Sequence, residues 1–139
     1  MDINKQKERR SIEIVMKYLG KQNYKCEDVS TKGRGYDVLA TRNGEVLRIE
    51  VKGTWGDRKI PDSYRSDFDD ELKLVGDSMY IVELNEDMTP RQMHILSKAE
   101  VDRFAEGYRI VERVRVRPLQ TALRNGDVGK VVPALELDP

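Results

Sequence analysis

The chain has 139 residues, enough for one domain with a real core but short for an enzyme that must embrace a long substrate alone, so a partner or a second copy is expected. Lys plus Arg and Asp plus Glu each number 25, which excludes the strongly basic field of a general nucleic-acid binder and makes any such contact local. Hydrophobic residues are 38% and charged residues 36%, with the apolar ones grouped in short runs, which excludes a disordered chain.

The first ten residues are polar where a signal peptide needs an apolar stretch, and no run approaches ~18 apolar residues. A single cysteine, Cys26, excludes an intrachain disulfide framework and, with one histidine, leaves no Cys/His zinc set. A cytoplasmic protein with no membrane association is expected.

Ile12, Val15, Met16 and Leu19 recur at helical spacing, so residues 5–19 read as a helix stopped by Gly20. A short strand follows over Tyr24 to Val29, then a turn at Gly33-Arg34-Gly35 that is too short to claim as a phosphate-binding loop. Residues 36–52 hold two β-rich runs separated by Asn43-Gly44, the strongest short hairpin signal. A polar loop runs from Gly53-Thr54 to Ser66, with an edge strand at Lys59-Ile60 before Pro61. Ser66 with Asp69 is expected to cap a helix through Leu72 and Val75 that ends near Gly76.

Met79 to Leu84 reads as a buried central strand and Gln92 to Leu96 as another. Ser97-Lys98-Ala99-Glu100 is a capping box opening a helix through Phe104 that stops at Gly107. Tyr108 to Arg117 reads as a strand ended by Pro118, Leu119 to Leu123 as a helical turn before Asn125-Gly126, and the last residues as a flexible tail. No internal repeat or composition break appears, so residues 1–139 are expected to form one domain of α/β (α+β) class, a central mixed β-sheet flanked by helices.

The hairpin concentrates reactive side chains. A two-residue loop at Asn43-Gly44 pairs Arg42 with Glu45 and, carried down the ladder, sets Asp37 opposite Glu50 with Cβ atoms roughly 4.5–5.5 Å apart. Lys52 projects from the same face, while Tyr36, Val38, Ala40, Leu47, Ile49 and Val51 occupy the other. Two opposed carboxylates repel unless neutralised, and a hard cation such as Mg²⁺ or Mn²⁺ would resolve the conflict. Such an ion could activate water for attack on a phosphodiester, with Lys52 offsetting charge at phosphorus. The same residues also fit a half-solvated strand in which Lys52 simply bridges Glu50 and Asp37.

Gly35-Tyr36-Asp37-Val38 followed by Arg48-Ile49-Glu50-Val51-Lys52-Gly53-Thr54 resembles the PD-(D/E)xK restriction-endonuclease-like superfamily. With Glu27-Asp28-Val29-Ser30, the match is closest to the Protein NO VEIN C-terminal domain family, whose members are often attached to helicases or restriction-type proteins. The resemblance covers roughly residues 8 to 84. It implies that Asp37 and Glu50 are metal ligands and Lys52 the catalytic lysine. The proline that usually precedes the aspartate is Tyr36 here. Many members add a glutamate from the first helix; Glu8 continues the Ile12, Val15, Leu19 stripe, whereas Glu13 lies about 100° from Ile12. Glu8 is therefore preferred, although an acid favoured by the helix dipole explains it equally well.

Lys32, Arg34, Arg58, Lys59 and Arg65 fall in loops beside the hairpin and could contact phosphates; solvated loop charges are the commoner case. Trp55 and Tyr64 could stack on bases or pack on the surface. Arg113, Arg115 and Arg117 form one basic strand face, and His94, between Met93 and Ile95, reads as structural. The expectation is a metal-dependent endonuclease domain acting on nucleic acid, DNA favoured, as a homodimer or within a larger repair or defence assembly. The alternatives are a non-catalytic nucleic-acid-binding or partner-binding module that keeps the fold, or a scaffold.

Overall fold

The computed structural model describes residues 2–56, 63–64, 73–104, 106–107, 113–115 and 122–137. Helix α1 (Ile3–Gly20) begins where the Asp2 side chain accepts the Lys5 N–H at 2.9 Å, and it buries Ile12, Ile14, Val15 and Leu19. Gly20 is still helical; the chain reverses a few residues on, at Asn23, whose φ of 69° is left-handed. Helix ends shift by a residue or two this way whenever a nearby Asn can take the left-handed position.

Strands β1 (Lys25–Asp28), β2 (Val38–Arg42), β3 (Glu45–Trp55), β5 (Ser78–Leu84), β6 (Pro90–Ser97) and β9 (Lys130–Pro133) make one six-stranded sheet in the order β1-β2-β3-β5-β6-β9. Only β3 and β5 run parallel, so the sheet is mixed, as expected for an α+β domain. Strand β4 (Ser63–Tyr64) pairs with β8 (Arg113–Arg115), which pairs with β7 (Glu106–Gly107), in a small second sheet.

Helix α1 covers one face of the large sheet. Val38, Ala40, Ile49, Val51, Tyr80, Val82, Leu84, Met93 and Val132 meet its buried residues there, joined by Leu137 from the short helix α3 (Ala134–Leu137). Gly53 makes this approach possible: a Cβ at that position would sit 2.4 Å from Ser11 Oγ and 3.1 Å from the Lys7 carbonyl oxygen. The other face is covered by helix α2 (Lys98–Phe104) and a helical turn at residues 122–124, which gather Leu74, Met79, Ile81, Leu96, Val101, Ala122 and Val128. The capping box is formed as expected: Ser97 N–H donates to Glu100 Oε1 at 3.0 Å and Glu100 N–H to Ser97 Oγ at 3.2 Å.

Three expectations are corrected. Strand β3 continues three residues beyond Lys52, because parallel pairing with β5 recruits Gly53, Thr54 and Trp55 into the ladder. The helix expected to reach Gly76 does not extend over residues 73–76: the Leu74 N–H is taken by Asp102 Oδ1 at 2.6 Å and the Leu74 carbonyl by Lys98 Nζ at 2.6 Å. The segment read as a flexible tail is structured, since β9 adds an edge strand to β6 and buries Val132, and α3 buries Leu137. The expected edge strand at Lys59-Ile60 and the Ser66 cap lie outside the described residues, as do the ends of the strand expected from Tyr108 to Arg117. No described helix is long and apolar enough to cross a membrane.

Candidate catalytic centre

The hairpin has the register that its two-residue loop requires. Arg42 pairs with Glu45, and the ladder runs through Ala40 opposite Leu47 to Val38 opposite Ile49, with Asn43 and Gly44 both at positive φ. At Asp37, the next position, the regular ladder stops. The Asp37 N–H donates to the Ile49 carbonyl at 2.8 Å, and its carboxylate Oδ2 accepts the Val51 N–H at 2.8 Å. The Asp37 carbonyl in turn accepts the Val29 N–H at 2.8 Å, tying the aspartate to the loop after β1. Asp37 thus departs from simple cross-strand pairing, and a main-chain donor between Glu50 and Lys52 holds its carboxylate beside them.

Glu50 is only 3% exposed, and Lys52 Nζ lies 3.3 Å from Glu50 Oε1. Burying a carboxylate is costly unless it is matched by charge and hydrogen bonds, and here the matching ammonium comes from the same strand face. The face is not a solvated one, as alternation in a single hairpin had suggested: the side chains of Glu50 and Lys52 are largely buried, and β5 and β6 extend the sheet beside them.

The cross-strand register reveals more polar groups on this face. Lys52 aligns with Ile81 and His94, and Thr54 aligns with Glu83 and Gln92. Glu83 is 6% exposed; its Oε2 is 2.9 Å from His94 Nε2 and also accepts from the Gln92 side-chain amide. His94, read as structural from its apolar neighbours, thus pairs with Glu83 on the same face as Glu50 and Lys52. Glu83 was overlooked in the sequence. The signal was present, since it is the one acid inside the apolar run Met79 to Leu84.

The remaining candidates divide. Glu13 is exposed and paired with Arg10 at 3.4 Å on the outer side of α1. Glu8 lies one turn N-terminal to Ile12 on the buried stripe and is itself exposed. Lys32 and Arg34 are exposed in the loop that leads into Asp37. Lys32 Nζ is 2.9 Å from Glu27, and this hydrogen-bonded ammonium holds the Glu27 carboxyl below its usual range, so part of the lysine's charge is already matched. Arg58, Lys59 and Arg65 lie outside the described residues. Among the described residues, no three His, Cys, Asp or Glu side chains converge as a metal cluster. A pair of carboxylates such as Asp37 and Glu50 would suit a hard cation that keeps water and phosphate ligands and would not suit a closed zinc site.

Residues 7–61 match the family described as Protein NO VEIN, C-terminal. No curated protein matches the chain. Among solved structures, a bacterial homing endonuclease aligns over 90% of this chain and 96% of its own, with a TM-score of 0.53 and 15% identity. At that identity the likeness establishes the fold. The family match spans the whole hairpin with Asp37 and Glu50-Val51-Lys52, and over most of its length the chain shares the fold of that solved structure.

Proposed function

We propose that this chain is a metal-dependent nuclease domain that hydrolyses phosphodiester bonds in nucleic acid, DNA being the favoured substrate. The observation that carries the proposal is the juxtaposition of Asp37, Glu50 and Lys52. The hairpin register and the hydrogen bond from the Val51 N–H to Asp37 Oδ2 support it, with Lys52 Nζ 3.3 Å from Glu50 Oε1 on a face where charge would otherwise be excluded. The endonuclease fold and the family match support it.

Asp37 and Glu50 would hold Mg²⁺ or Mn²⁺, with Glu8 a candidate for a further, water-mediated contact. When bound, such an ion polarises the phosphate and lowers the pKa of a coordinated water. The Val51 N–H fixes the Asp37 carboxylate, so the acid is oriented before substrate arrives. Lys52, now paired with Glu50, would turn its ammonium toward the non-bridging oxygens of the pentavalent phosphate as negative charge builds there. Lys32 and Arg34, exposed on the loop entering Asp37, would contact flanking phosphates.

One observation favours a second reading, a non-catalytic nucleic-acid-binding module: among the described residues no three His, Cys, Asp or Glu side chains gather. Incubation with single- and double-stranded DNA and RNA in Mg²⁺ or Mn²⁺ separates the two. The nuclease cleaves at least one substrate, and Asp37→Asn and Lys52→Ala abolish cleavage while the chain stays folded. Salt-dependent binding without cleavage would assign the module instead, and absence of binding would leave a scaffold.

A further inference from the structure

A cavity of about 600 Å³ opens at the C-terminal ends of the parallel strands β3 and β5, at the end of the strand that carries Glu50 and Lys52. Its walls include Trp55, Ile3 and Leu84, with Arg91, Asn85 and Glu86 at the polar side. The ends of parallel strands are where open sheets usually receive ligands, and the volume falls within the usual ligand-site range.

Three cations surround this end of the molecule. Lys7 Nζ lies 5.0 Å from the centroid of the Trp55 indole, Arg10 Nε donates to the Met88 carbonyl on the β5–β6 turn, and Arg91 lies across Gly56. Gly56 has a φ of +41°, a conformation that favours glycine, and lies against the Arg91 guanidinium: a Cβ there would be 2.8 Å from Arg91 Nη1. Glu86 supplies the opposite charge. A bare phosphate would be repelled by that carboxylate. A nucleotide satisfies both, its base lying against the indole and offering an exocyclic amine to Glu86 or Asn85 while its phosphate meets Arg91.

We infer that this cavity binds an unpaired nucleotide of the substrate strand, beside the cleavage site. The inference rests on the nuclease reading and narrows its substrate to nucleic acid that is single-stranded or locally unpaired. Lys52 and Trp55 are three residues apart on β3, about 10 Å at ~3.3 Å per residue, and point to opposite faces. A strand leaving the catalytic face over the end of the sheet therefore reaches the cavity within a few nucleotides. A paired base cannot enter, because its edge and both its faces are occupied in the duplex.

Trp55 is the only tryptophan in the chain, so its intrinsic fluorescence reports on the cavity alone. The full chain is titrated, in EDTA to prevent cleavage, with a single-stranded oligodeoxynucleotide and with the blunt duplex of the same sequence. Anisotropy of an end label measures binding independently. Saturable quenching by the single strand, weaker quenching by the duplex, and about tenfold weaker binding in Trp55→Leu and Arg91→Ala are expected. Trp55→Phe, which preserves an aromatic wall, should recover most of the affinity. Binding by anisotropy with unchanged tryptophan emission would overturn the inference, as would no binding at all. The two readings fail separately: cleavage by the wild type without quenching removes the cavity and leaves the nuclease, whereas quenching without cleavage under any metal does the reverse.

Discussion

The two faces of the large sheet are built from the same strands and differ in what they bury. The α1 face is apolar throughout, from Val38, Ala40, Ile49 and Val51 to Val82, Met93 and Val132. The opposite face mixes Met79, Ile81 and Leu96 with Glu50, Lys52, Glu83 and His94. Fully burying an aliphatic side chain contributes about 1.5–3 kcal/mol, while desolvating a charge opposes folding even when it is paired. Alternating residues of β3 thus serve opposite ends: Ile49 and Val51 stabilise the domain, and Glu50 and Lys52 hold charge in place at some cost to it. Charges retained in such a setting are what a catalytic face requires.

Substitutions that separate stability from activity test this contrast. The largest effect is expected at Asp37→Asn, which keeps an acceptor for the Val51 N–H but removes the charge: cleavage should fall by roughly 10²–10³-fold or more, with an unchanged urea midpoint. Ile14→Ala, on the apolar face, should do the converse, lowering stability by about 2–5 kcal/mol while turnover per folded molecule stays constant. If Ile14→Ala slowed turnover at full occupancy of the folded state, the division between faces would be wrong.

Gly53→Ala should cost about 1–3 kcal/mol by forcing α1 off β3, and pairing it with Ser11→Ala, which removes the colliding hydroxyl, should restore much of that. An additive double mutant would mean that the helix does not press on Gly53.

The smallest effect concerns the cap of α2. The Gly129 and Ser97 N–H groups hold the Glu100 carboxyl below its usual range, so its contribution is present above the unfolded value near ~4.3 and is lost as pH falls through the lower folded value. Glu100→Gln should therefore destabilise by roughly 1 kcal/mol at pH 7. The gap to wild type should close in acid, as followed by thermal melts across pH.

How much of this was legible depended on how local its cause was. Asn43-Gly44 dictates a loop whose register then follows by counting, so the pairing from Arg42 and Glu45 down to Val38 and Ile49 could be read from the sequence. The departure of Asp37 from the ladder could not, because it depends on Val29 and Val51 drawing its backbone and side chain in different directions. The capping box at Ser97 and Glu100 was equally local and equally readable.

The failures share a long-range cause. Strand β3 is lengthened by its parallel neighbour β5, and Leu74 is held out of a helix by Asp102 and Lys98 from α2. Strand β9, four residues long with one buried valine, is too short to show a period and exists only because β6 offers an edge. Glu83 belongs to the candidate face only once β5 and β6 are in register, so a sequence-level search centred on one hairpin had no means of including it.

The proposed chemistry requires that Asp37 and Glu50 jointly hold a divalent cation beside Lys52. Diffraction from crystals soaked in Mn²⁺, recorded where manganese scatters anomalously, tests it most directly. An anomalous peak bridging the two carboxylates in the wild type, and lost in Asp37→Asn, is the predicted result. No peak at saturating Mn²⁺, or carboxylates turned to opposite faces of the hairpin, would contradict it.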